Sequence, residues 1–187
     1  MRQPFDIAAD LDTPVSAYRK LAPFKPCFLL ESVEGGAQVA RYSFLGLDPA
    51  FTLTIDNVTG AVRRVVRTRD EFLGALRAAR DDAPALLPHT SDLPLTGGIV
   101  GAMAYDAVRY FERDGLAPAT RPGPLALYVA PRSMLVFDHL SRRVALLHAG
   151  EEWERQSLRR EFIHALRGPH PEEPVRAGHA PAEASID

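Results

Sequence analysis

The chain has 187 residues, 46% hydrophobic and 25% charged, with a formal net charge of -2. That balance suits one sizeable core and offers no electrostatic footing for nucleic acid or an anionic membrane; no apolar run approaches the roughly 20 residues that cross a bilayer. The single cysteine, Cys27, excludes an internal disulfide framework and cysteine-based zinc sites, and with no secretory pattern at the start the expected compartment is cytoplasmic. In chain order, Asp12-Thr13-Pro14 supplies a cap and a proline suited to a first helical turn, so a short helix is predicted to about Leu21, stopped by Pro23 and Pro26. Residues 27–32 (CFLLES) read as a buried strand, and 41–47 (RYSFLGL) resume as another after Gly35-Gly36. Phe51, Leu53 and Ile55 alternate with polar residues as a half-buried strand, with 61–68 as its hairpin return.

Thr68 and Glu71 form a capping-box pattern for a helix to about Arg80, and the proline-punctuated stretch 82–96 reads as a loop. Residues 97–106 read as a buried, glycine-thinned strand followed by a short helical turn through Phe111, and 113–124 as another loop. Strands at 125–130, 134–138 and 144–148 precede a last helix, 151–167, with Trp153, Leu158, Phe162, Ile163 and Leu166 as packing residues. The proline, alanine, glutamate and glycine of 169–187 have almost nothing to bury and read as a disordered linker or tail. The expected fold class is α+β: two packed antiparallel β-sheets, sandwich-like, with flanking helices.

Catalytic signatures are missing. There is no G-x-S-x-G, H-E-x-x-H or glycine-lysine phosphate loop. The adjacent carboxylates at Asp81-Asp82 and Glu151-Glu152 read as solvated surface, and no histidine pair has metal-ligand spacing. Three segments stand out: Leu29-Leu30-Glu31-Ser32, Arg41-Tyr42-Ser43-Phe44-Leu45-Gly46, and Gly97-Gly98 with Gly101. Each has a plain structural explanation: a solvated strand end, a snorkelling edge arginine, close sheet packing. Taken jointly they hold the ingredients of an amino-acid pocket, with Glu31 or nearby carbonyls for an ammonium, Arg41 and backbone amides for a carboxylate, and an apolar slot.

The string FLLESVEGGAQVARYSFLGLDP, residues 28–49, resembles the amino-terminal domain of anthranilate synthase component I, of the chorismate-binding enzyme family. GGIVGAMAYDAVRYFE (97–112) resembles a second hallmark of that domain, and PRSMLVFDHLSRRVALLHA (131–149) is similar to the strand pair that follows. The resemblance implies an enzyme that converts chorismate to anthranilate and pyruvate, with magnesium and with ammonia from a glutamine amidotransferase subunit. It implies residues 1–168 as a regulatory domain binding L-tryptophan as feedback inhibitor, an allosteric effect. Carried over by motif, the inhibitor site comprises Ser32, Glu31 and Arg41, with Leu30 and Tyr42 as walls.

The chorismate-binding catalytic domain, in cis or as a separate chain, is expected to hold the magnesium carboxylates and the catalytic histidine. No catalytic residue, metal ligand or cofactor is therefore assigned to this chain, which is expected to be inert alone. Two other readings stay open: the corresponding domain of aminodeoxychorismate synthase component I, in the folate branch, and a stand-alone amino-acid-binding or interaction module.

Overall fold

Two strands longer than any that the sequence predicts organise the molecule. A computed structural model describes residues 5–8, 12–31, 41–56, 64–89, 93–112, 124–169 and 171. Its elements are β1 (Phe5–Ala8), α1 (Pro14–Lys20), β2 (Pro26–Leu30), β3 (Tyr42–Asp56), β4 (Arg64–Val65), α2 (Arg69–Asp82), β5 (Val100–Met103), β6 (Ala126–Asp138), β7 (Arg143–His148) and α3 (Glu152–Arg167). Short 3-10 turns cover Ala22–Phe24 and Tyr105–Tyr110. β3 and β6 pair antiparallel from Tyr42 opposite Asp138 to Ile55 opposite Ala126, with a bulge between Pro49 and Phe51. Each replaces two separate strands expected from the sequence, because the two prolines, Pro49 and Pro131, face each other at the bulge, where a missing N–H is tolerated.

The strand order is β1-β7-β6-β3-β2, with β4 added to the far end of β3 and β5 to the near end of β6. The antiparallel α+β architecture is as expected. The two anticipated sheets are two halves of one hydrogen-bonded sheet, because β3 and β6 run through both. The predicted hairpin return differs too: Arg64–Val65 pairs parallel to Ile55–Asp56.

Both faces of the first half are buried. Leu45, Leu47, Leu135, Phe137, Val144 and Leu146 pack under α1 and α3 with Ala17, Leu21, Phe162 and Leu166. Phe44, Met134, Val136, Ala145 and Leu147 face the other way, against Leu86 and Leu93. Burial on two sides is why these strands read as unbroken apolar runs rather than alternating ones. The second face is covered by part of the stretch expected to be a plain loop. It is a strap: Leu87 exchanges both backbone hydrogen bonds with His148, at 2.9 Å each, and Ala85 bridges Gly97. A third cluster, including Ile55, Val66, Phe72 and Leu125, fills the other half of the sheet.

Helix starts follow the sequence closely. Thr13 and Ser16 form a capping box on α1, and the Thr68 hydroxyl accepts from the Glu71 N–H at 3.2 Å on α2. On α3 the predicted packing face is corrected at one residue. Trp153 is 71% exposed, while Arg155 turns inward, donating to both oxygens of Glu152 at 2.8 and 2.7 Å and to the Leu146 carbonyl at 3.3 Å. β5 is also shorter than expected, and its residues Gly101–Met103 are exposed rather than buried. Most of the anticipated tail, 172–187, lies outside the described residues.

Candidate functional site

The end of β2 and the start of β3 lie side by side. Leu30 stands opposite Phe44, and Tyr42 is two positions along the same face. Leu30 and Glu31 are exposed there, and Tyr42 is half-buried with its ring 6.4 Å from both Phe5 and Phe44. Arg41 places its guanidinium 4.8 Å from the centre of the Tyr42 ring. Of the five anticipated site residues, Leu30, Glu31, Arg41 and Tyr42 therefore share one end of the sheet. Ser32 lies outside the described residues.

The arrangement of Arg41 has no signal in the sequence. Its Nε donates to Asp138 Oδ1 at 3.0 Å and a terminal nitrogen donates to Oδ2 at 3.0 Å, a two-pronged ion pair. Asp138 is almost fully buried and also accepts from the Leu140 N–H at 3.1 Å and the Ser141 hydroxyl at 2.9 Å. The Arg41 hydrogen bonds hold its carboxyl down to about 2, against an opposing push from burial. Asp138 is thus an anion throughout the physiological range and fixes the direction of the guanidinium. Beside it, the Ser43 hydroxyl meets His139 Nε2 at 2.8 Å. Ser43 is 1% exposed, so this bond satisfies a buried hydroxyl and does not present a nucleophile.

The third segment follows its packing explanation. A Cβ on Gly101 would run into the Leu127 carbonyl oxygen and the Tyr128 backbone, so β5 approaches β6 closely only as glycine. Gly97 and Gly98 adopt φ of 144° and 94°, which explains why the strand starts only at Val100. A mainly apolar cleft of ≈ 430 Å³ lies at the bend of the sheet, between Cys27 and Phe28 of β2 and Val100–Ala102 of β5. It does not include Leu30, Arg41 or Tyr42. Burial pushes the Cys27 thiol up to about 11, so the residue lining this cleft is a protonated thiol rather than a reactive thiolate. Among the described residues, no group of three or more His, Cys, Asp or Glu could hold a metal ion, and no helix is long and apolar enough to cross a membrane.

Comparison with known proteins adds the lineage. The chorismate binding enzyme family matches residues 25–185. The chain is 42% identical over 176 residues to anthranilate synthase component 1 of Thermus thermophilus, covering 91% of this chain and 37% of that protein. It is 32% identical over 179 residues to anthranilate synthase component 1 of Pseudomonas aeruginosa, covering 88% and 36%. Among solved structures, anthranilate synthase component I from Streptococcus pneumoniae aligns with a TM-score of 0.53 at 22% identity, covering 91% of this chain and 38% of that one. At that identity the likeness speaks for the fold alone. The chain thus spans little more than a third of the length of these relatives.

Proposed function

The chain belongs to the chorismate-binding enzyme family, and from that premise we propose that it is the amino-terminal, tryptophan-sensing part of an anthranilate synthase large subunit. The observation that carries this reading is the 42% identity to the Thermus protein across 91% of the chain. In this reading residues 1–168 form the regulatory domain, and a separate catalytic domain converts chorismate to anthranilate and pyruvate. That second domain holds the magnesium, a glutamine amidotransferase subunit supplies ammonia, and the enzyme works in the cytoplasm on the route to tryptophan.

The end of the sheet near Leu30 and Arg41 is the proposed inhibitor site. Its geometry supports the recognition of an amino acid in a specific way. The Asp138 pair orients Arg41 without exposing a second anion, since Asp138 itself is buried. An incoming carboxylate then meets a cation already held in place, and the Tyr42 ring and Leu30 offer apolar walls. Tryptophan acts by binding more tightly to a low-activity arrangement of the whole enzyme and shifting the population toward it.

The test uses the full-length polypeptide that contains these residues, assayed for anthranilate from chorismate, ammonium and magnesium. Anthranilate is the expected product, with inhibition by tryptophan. Ser32→Phe should abolish inhibition and leave the uninhibited rate. Aminodeoxychorismate as product would overturn the pathway assignment, and unchanged inhibition in Ser32→Phe would overturn the site.

A further inference from the structure

We infer a second small-molecule site, away from the Arg41 end of the sheet: a cavity of ≈ 210 Å³ between the first 3-10 turn, β3 and α3, fitted to a free amino acid with a branched aliphatic side chain. Its floor is apolar, formed by Phe24, Leu47 and Phe162, with the two aromatic rings edge to face at 4.7 Å. Lys25, Asp48 and Ser133 line the rest. Lys25 and Asp48 bring opposite charges, and Ser133 brings a hydroxyl that is buried and held by His148 Nδ1 at 2.8 Å.

The backbone that places the two charges is unusual. Lys25 has φ 54° and Asp48 has φ 50°, two of the three described non-glycine residues with positive φ. They touch: the Asp48 N–H donates to the Lys25 carbonyl at 3.1 Å, where β2 carries a bulge between Pro26 and Phe28. Left-handed geometry is costly for a lysine and less so for an aspartate, and glycine would relieve it at either position. The chain instead carries a cation and an anion there, beside one cavity. At Lys25 the geometry also closes the first 3-10 turn, its N–H donating to the Ala22 carbonyl at 3.1 Å, so the unusual feature is the pairing of two opposite charges beside one cavity.

The chemistry of the lining selects the ligand class. A simple anion meets Asp48 and a simple cation meets Lys25, so each is attracted and repelled at once. A zwitterion presents a carboxylate to Lys25 and an ammonium to Asp48, with the Ser133 hydroxyl as a further contact. Asp48 also has an ion pair with Arg132, but at 3.7 Å with both side chains about half exposed it is loose and leaves the carboxylate accessible. The apolar floor requires an apolar side chain. The volume is below the roughly 300–1,000 Å³ of pockets for drug-sized ligands and holds the equivalent of about seven waters, which favours a leucine-sized molecule over an indole.

The test is titration of the 187-residue chain with L-leucine, followed by ligand-observed NMR. The expected Kd is on the order of 1 mM, as befits so small a ligand. Asp48→Asn and Lys25→Gln should each weaken binding about tenfold or more, as loss of a charge-assisted contact implies. Asp48→Gly should abolish it while leaving the chain folded, since glycine fits the left-handed backbone there. Arg41→Gln should leave leucine binding unchanged, which separates this site from the proposed tryptophan site. Four results would overturn the inference: no saturable leucine signal, isovalerate binding as tightly as leucine, binding retained in Asp48→Gly, or binding lost in Arg41→Gln.

Discussion

The guanidinium of Arg41 grips the carboxylate of Asp138 at both oxygens, 3.0 Å each, and so ties the residue before β3 to the last residue of β6, 97 positions away. The pair closes the end of the sheet where Leu30 and Tyr42 lie. Asp138→Asn retains an acceptor for Ser141 but loses the charge, and should destabilise the chain by about 1.5–3 kcal/mol at neutral pH, at the lower end because Arg41 is partly exposed. The pH dependence follows from the sign of the shift. The folded carboxyl titrates at about 2, below its ordinary 3.8, so the unfolded chain takes up the proton first. The stabilisation is complete above about pH 4 and is lost as pH falls toward 2. Urea unfolding of both proteins should show the gap between them narrowing over that window; a constant gap would count against the ion pair.

Two glycines should respond differently to the same added methyl group. In Gly46→Ala the new Cβ meets the Phe28 ring, a side chain that can be shortened; in Gly101→Ala it meets the Tyr128 ring too, but its nearest contact is the Leu127 carbonyl oxygen and the Tyr128 Cα is as close as the ring, both of them backbone. Each single variant should lose about 1–3 kcal/mol, the usual cost of overpacking. Adding Phe28→Leu should recover most of the Gly46→Ala loss. Adding Tyr128→Ala removes only the ring and should recover little of the Gly101→Ala loss, since the backbone contacts remain. Chemical denaturation of the four variants checks this, and rescue by Tyr128→Ala would show that β5 can move away from β6.

What the sequence made legible was local. The alternation of Phe51, Leu53 and Ile55, the Thr68–Glu71 cap and the helical spacing of Leu158, Phe162 and Leu166 all act within a few residues, and all recur in the structure. The proximity of Leu30 and Tyr42 was also within reach, as two strands joined by a short connection. What escaped depends on distant partners. Pro49 and Pro131 look like strand breaks until each is seen to face the other at one bulge. Leu86 and Leu93 have no period because they sit on a strap shaped by the sheet beneath them. Asp138 resembles an ordinary turn residue until Arg41 arrives, and the left-handed residues Lys25 and Asp48 meet through a backbone hydrogen bond between the residue before β2 and the middle of β3. The branching of the sheet escaped for the same reason: local pattern cannot tell one strand of 15 residues from two short ones.

His148 should make the fold sensitive to mild acid. Its ring is buried against Ser133, and burial lowers its pKa from 6.5, although Glu154 pulls the other way. With the folded value depressed, the unfolded chain binds the proton first as pH drops through about 6.5. Stability contributed by the neutral ring is therefore full above that pH and declines below it, by at most about 1.4 kcal/mol per pH unit for one proton. Denaturation at pH 7.5 and 5.5 should show a drop in the parent chain that is smaller in His148→Gln. Equal drops would mean that the imidazole is not the group responsible.

Trp153 and Phe162 belong to one helix and both read as packing residues in the sequence, yet they differ completely in burial. Phe162 is 1% exposed and meets Phe24 edge to face, whereas Trp153 is 71% exposed in the first turn of α3. Helical geometry separates them by two and a half turns and therefore puts them on opposite sides. Phe162→Ala should cost about 3–5 kcal/mol, from lost burial and the cavity left behind, while Trp153→Ala should stay within about 0.5 kcal/mol. Urea unfolding followed by circular dichroism, which does not depend on the indole, measures both. Trp153 fluorescence supplies an independent check: acrylamide should quench it nearly as well in the folded chain as in urea. A sheltered indole together with a large Trp153→Ala loss would mean that α3 turns a different face to the sheet.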